Sequence, residues 1–344
     1  MRWHLRTSFT VFAAAAMLAG TAAGQQLLPN PSFTEGNENP AGWTLQGRGR
    51  RLDRGILEVS GNGRESSAWH GPVELQPGAL YRFECVARRV GGGDDGCMTS
   101  GPSFANRDHQ PTDAWQTFGH VFQVPRHGGD GGVRIGQWHV DGAIQFQSAR
   151  LRPVLPMHAG MDEWVLGEDE SIREGVYRFQ TRFRHEGSNF HRTLHRATAG
   201  FNSNRWTFGR GQEVVYQFAL PETTLRTGRV RFSVCYHQAG RVGLDVSRDG
   251  DDWHVLTERA ELGAAEAVVP GALLPAEKLY LRLRTPDEPC SVQVDHLEFT
   301  AELDGPVPDV VGQTLFAEVL EPSSDLEVDQ ISLESAGGSG PQAL

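Results

Sequence analysis

Lysine is almost missing from this 344-residue chain: Lys278 stands alone against thirty-one arginines, an imbalance that reads as genomic base composition rather than chemistry. Positive charge as a whole is in deficit, with 43 Asp and Glu against 32 Lys and Arg and a net charge of −11. That balance disfavours polyanionic partners such as nucleic acid or an anionic membrane surface. After the first eighteen residues no apolar run is long enough to cross a bilayer, so no membrane span is expected. Helical periodicity is nearly absent. So are the signatures of common catalytic sites: no Gly-x-Ser-x-Gly elbow, no His-Glu-x-x-His helix and no phosphate-cradling glycine loop. Cys-x-x-Cys does not occur either, which removes the usual zinc and dithiol motifs. Asp249, Asp251 and Asp252 lack the spacing of a calcium-binding EF-hand loop. His191 and His195, four apart, have neither a surrounding helical pattern nor an evident third ligand.

The N-terminus carries a targeting signal. Arg2 and Arg6 precede a short apolar run from Thr10 to Leu18, and Ala22, Ala23 and Gly24 supply small residues for cleavage before Gln25. Residues 1–24 are therefore expected to be a signal peptide. Their removal leaves 320 residues of net charge −13, enough for two domains. The expected location is secreted, periplasmic or on the cell surface. In such a compartment four cysteines suggest two disulfides, and the pairs that stay within one domain are Cys85–Cys97 and Cys235–Cys290.

The body of the chain alternates apolar and polar residues in short runs broken by Gly, Pro, Asn and Asp, the pattern of an all-β sandwich. Tyr81, Phe83, Cys85 and Ala87 alternate with Arg82, Glu84, Val86 and Arg88. Val133 and Ile135 alternate with Arg134 and Gly136. The same texture returns at Val230, Phe232 and Val234, and at Leu279, Leu281 and Leu283. Asp249-Gly250 reads as a hairpin turn, and the alanine-rich 257–276 stretch as a short helix. These patterns divide the chain into a sandwich over 25–153, a linker over 154–172 and a second sandwich over 173–303. A C-terminal hairpin follows over 304–334, pairing 313–320 with 326–333, and a disordered tail over 335–344.

Three segments in order carry a resemblance. LLPNPSFTEGNENPAGW (27–43), VELQPGALYRFECVARR (73–89) and AWQTFGHVFQVP (114–125) resemble landmarks of the carbohydrate-binding modules attached to bacterial cellulases and xylanases. The resemblance covers about 27–152 and implies a jelly-roll sandwich of the galactose-binding-like class with a polysaccharide or other glycan as partner. Residues 173–303 are similar, more loosely, to galactose-binding-like or discoidin-like sandwiches. The family's first Phe is followed by Glu where this chain has Thr34, and its last strand carries an Asp pair where this chain has Gln147 and Ser148. Those acids help hold a structural Ca²⁺ in the family, so the first domain lacks the set. Asp295 occupies the acidic position in the second domain and is the candidate for a structural Ca²⁺; no other cofactor is implied.

Sugars are held by flat aromatic faces and polar side chains. Outward parity with Arg134 makes Trp138 the first candidate for such a platform; Trp69, just before the Val73–Leu75 strand, is the second, with Arg134, Glu84 and Arg88 as hydroxyl partners. Trp43 and Trp115 are expected in the core, and Trp253 packed across its hairpin. The leading reading is an exported, non-catalytic polysaccharide-binding protein. The alternatives are a cell-surface adhesion or structural protein without a sugar site, and a polysaccharide-active enzyme or its ancillary subunit.

Overall fold

In a computed structural model, residues 26–129, 131–181, 183 and 189–318 are described, together with the backbone of Ser8–Thr10. The rest of residues 1–25 and the 319–344 tail lie outside the described residues. The described chain is all-β, with two 3₁₀ turns and no α-helix among those residues. The alanine-rich stretch expected to be helical is instead the Gly263–Val268 strand followed by a 3₁₀ turn at Gly271–Leu273. Its strand pairs with Arg229–Val234, where burying alternate side chains outweighs alanine's helical propensity.

The first half is two facing sheets, one of eight strands with a core run of five, the other part of a thirteen-stranded sheet. One has the order Gly49–Leu52, Ile56–Asn62, Asp141–Met161, Leu80–Val90, Gln116–Gln123. The other has the order Thr44–Gln46, Ser67–Pro72, Gly132–Trp138, Cys97–Gly101, Ala105–His109. Strand Leu80–Val90 shows the expected alternation: Tyr81, Phe83, Cys85 and Ala87 are buried and the residues between them half-buried. The second half sets a five-stranded sheet, Leu194–Ala197, Glu213–Ala219, Lys278–Arg284, Val242–Ser247, His254–Arg259, against a sheet centred on Ser291–Glu302.

The halves are not beads on a string. Asn202 and Phe201 pair in parallel with Asn106 and Ala105, so the second sheet of the first sandwich continues into the second sandwich. One hydrophobic core cluster runs through both. The 154–172 segment, expected as a linker, is strand for much of its length: Asp141–Met161 is a single 21-residue strand, and Trp164–Leu166 and Glu170–Arg173 follow. Its breakers misled because Val154, Ala159, Trp164 and Leu166 are buried and hold it in the fold. Thr314–Glu318, expected in a terminal hairpin, pairs with Val154–His158; its expected partner lies outside the described residues.

The four cysteines are free thiols, which corrects both expected disulfides. Cys85 points into the core from one sheet, while Cys97 opens a strand of the facing sheet and pairs with Trp138. Cys235 lies beside Gln293, and Cys290 three residues further along that strand, roughly 10 Å away at the strand rise. Bridged Cα atoms sit only about 4.4–6.8 Å apart.

Candidate functional site

The outer face of the Thr44-to-His109 sheet is where the aromatic and polar candidates meet. Val133 and Ile135 fill the interior, so alternation sends Arg134, Gly136 and Trp138 outward. Trp138 is 52% exposed, the most exposed aromatic of the fold's large hydrophobic residues. Its indole stacks on the ring of His139, with centroids 4.0 Å apart and planes 13° from parallel. His139 has φ +54°, a left-handed conformation that a non-glycine residue rarely adopts, and this turn sets the imidazole against the indole. The neighbouring Gly96 packs so tightly that a Cβ there would stand 2.4 Å from the His139 carbonyl carbon.

Below Trp138 the sheet surface is built from small side chains. Gly136 pairs with Ala68 on one side and Thr99 on the other, and a Cβ on Gly136 would stand 2.6 Å from that of Ala68. Two adjoining hollows result. One of about 160 Å³ is lined by Gln46, Ala68, His70, Thr99, Arg134 and Trp138 among others. The other, about 360 Å³, shares His70 and Arg134 and extends over Thr44, Gly71, Pro72 and Ser103. Among the described residues, neither lining contains a carboxylate.

His70 and Arg134 stand opposite each other in the ladder. Burial, and then the Arg134 charge, hold the His70 imidazole below its ordinary value, so it is neutral at pH 7 and offers one donor and one acceptor. Arg134 Nε is buried and has no hydrogen-bond partner among the described residues. The groove therefore presents an indole face, a guanidinium donor, a neutral imidazole and the Gln46 amide. That is the complement a saccharide presents in reverse: C–H faces flanked by hydroxyls.

The other expected contacts are elsewhere. Trp69 is fully buried, because it pairs directly with Ile135 and so shares its inward face; its Nε1 donates to Glu58 O at 3.2 Å. Its strand is Ser67–Pro72, in which Ser67, Trp69 and Gly71 take the buried side. Glu84 and Arg88 do face outward, but from the opposite sheet, and share no surface with Trp138. Arg88 donates to Gln145 Oε1 at 2.8 and 3.0 Å and lies over the half-buried Trp115, which is thus not a core residue. Gln145 in turn donates to Glu58, which accepts from Arg50, so this face is closed by its own network. Trp43 is buried as expected, and Trp253 packs under Arg282 at 4.1 Å.

Asp295 sits in a bulge of the Ser291–Glu302 strand beside Cys235. No group of three or more His, Cys, Asp or Glu side chains converges there or elsewhere among the described residues. Ca²⁺ takes about six to eight oxygens, so at Asp295 most would have to come from backbone carbonyls and water. In the first sandwich the N-terminal turn is organised by a guanidinium instead. Arg51 donates to the carbonyls of Thr34 and Gly36, both at 2.5 Å, and of Asn37 at 2.8 Å. Sequence reasoning missed His70 and Gln46, which carry no motif and become neighbours of Arg134 only through strand pairing.

No family model and no curated protein matches the chain. Similar solved structures include the tandem CBM22 domains at the N-terminus of Xyn10C from Paenibacillus barcinonensis. That structure is 13% identical with a TM-score of 0.33, over 82% of this chain and 99% of that one. A xylan-binding domain of CBM22 is 15% identical (TM-score 0.29, 38% of this chain and 94% of that one). A CBM4 module is also 15% identical (TM-score 0.30, 36% and 98%).

Proposed function

We propose that the chain is an exported protein that binds polysaccharide, without transforming it, on the outer face of the first sandwich's Thr44-to-His109 sheet. The observation that carries this reading is the half-exposed Trp138, braced on His139 at the rim of a groove floored by Ala68 and Gly136 and edged by Arg134, His70 and Gln46. A rigid indole covers the apolar face of a pyranose at little entropic cost, and the polar edge selects its hydroxyls. The acidic net charge supports a neutral glycan over a polyanion.

Affinity electrophoresis through gels containing soluble β-glucan, xylan or mannan tests the reading. At least one polymer retards the chain, and Trp138→Ala removes the retardation while leaving the melting temperature in place. Free migration through every polymer, or retardation indifferent to Trp138, overturns it.

A further inference from the structure

The groove is not bounded by the first sandwich. Beyond Cys97–Gly101 and Ala105–His109 the same sheet passes through Gly200–Asn202, Arg205–Phe208 and Ser291–Glu302 to Arg229–Ala239 in the second half. The side chains on its outer face form an unbroken chain of neighbours. Trp138 pairs with Cys97, and Thr99 with Asp108. Asn106, two residues from Asp108, donates to Asn202 Oδ1 at 3.3 Å across the parallel seam. Asn202 pairs with Arg205, whose Nε donates to Gln293 Oε1 at 2.7 Å. Gln293 pairs with Tyr236, which is 42% exposed. Directly opposed residues in a ladder share a face, so every member of this row lies on the Trp138 side. Burial agrees: Ala105, Phe201, Trp206 and Val294, the intervening positions, are all interior. The Arg205 guanidinium is felt electrostatically by both the Cys97 and the Cys235 thiol, one in each half, which sets it over the middle of the row.

We propose that the ligand is an extended glycan chain lying across the strands, held by Trp138 at one end and Tyr236 at the other, with Asp108, Asn202, Arg205 and Gln293 beneath it. This rests on the reading of Trp138 as a saccharide platform. The strands of Trp138 and Tyr236 are six ladder steps apart, roughly 29 Å at about 4.8 Å per step. A monosaccharide or disaccharide cannot bridge that span; a longer oligosaccharide can. The chemistry between the aromatics is that of hydroxyl recognition, with amides, a carboxylate and a guanidinium in a line. The parallel seam holds the two halves of the site in one sheet, so the second half's contacts are pre-positioned once the first half is engaged.

Calorimetric titration of the full chain with cello-oligosaccharides and xylo-oligosaccharides, from disaccharide to octasaccharide, tests this. In the series that binds, affinity rises by about tenfold or more between trisaccharide and octasaccharide, about 1.4 kcal/mol or more. Tyr236→Ala and Arg205→Ala erase that rise but leave trisaccharide affinity unchanged, whereas Trp138→Ala weakens every length. Tyr236 is exposed, so its removal tests the footprint even where Arg205→Ala disturbs the seam. An affinity that levels off at the trisaccharide, indifferent to Tyr236, overturns the extended footprint and leaves the single-sandwich site standing. No binding by any length of either series, with no polymer retarding the chain, overturns both.

Discussion

Asn106 and Asn202, ninety-six residues apart, share a side-chain hydrogen bond of 3.3 Å across the parallel bridge that fuses the two sandwiches. Beneath it Phe201 is buried against Trp206 and Phe183, with ring centroids 5.0 and 5.6 Å away. A seam with a shared ladder and a shared core makes the halves unfold together. Scanning calorimetry of the chain should show one transition. Phe201→Ala should cost about 3–5 kcal/mol and resolve two.

The two tryptophans first considered for binding separate by mechanism. Trp69 fills the interior, so Trp69→Ala should cost about 3–5 kcal/mol in chemical denaturation. Trp138→Ala removes an exposed ring and should stay within about 0.5 kcal/mol, with its effect confined to glycan retardation. Equal losses of stability would place both indoles in the core.

Arg51 should substitute for any cation in the N-terminal turn. Its guanidinium gathers three backbone carbonyls, and charge-assisted bonds of this kind are the stronger ones. Arg51→Ala should lose about 1–3 kcal/mol. Treatment of the unaltered chain with EDTA should leave its melting temperature where it was. A fall on chelation, restored by Ca²⁺, would reveal a metal site that this arrangement does not provide for.

Acid should destabilise the chain before its carboxylates titrate. Burial holds the imidazoles of His109 and His158 down at about 4 and that of His120 at about 3, against an ordinary value of 6.5. Their folded values are depressed, so the unfolded chain binds more protons below pH 6.5. Stability is intact above that pH and falls progressively as pH drops towards 4, by up to roughly 1.4 kcal/mol per unit for each group. Denaturant midpoints measured between pH 7.5 and 4.5 should decline from pH 6.5 downward. A flat profile would mean that these rings are solvated.

How much of this was legible follows from what alternation encodes. The outward parity of Trp138 and the inward set of Leu80–Val90 needed only the period of two, because each is a property of one strand. Trp69 was placed only by its nearness to Val73–Leu75, and its inward face is set by pairing with Ile135 across the ladder. His70 and Gln46 were invisible for another reason. Nothing local marks them, and they join Arg134 only through pairing with strands distant in sequence.

The sequence by itself determined the all-β character of the chain and the inside and outside of its clear strands, since backbone pleating ties side-chain direction to residue parity. Tertiary structure decided which outside faces coincide. It put Glu84 and Arg88 on the sheet opposite Trp138, parted the cysteines, joined the halves through the Asn106–Asn202 seam, and made strand of much of the 154–172 segment that composition had marked as a linker. Strand neighbours are chosen by burial of apolar surface summed over the whole fold, and no local pattern carries that sum.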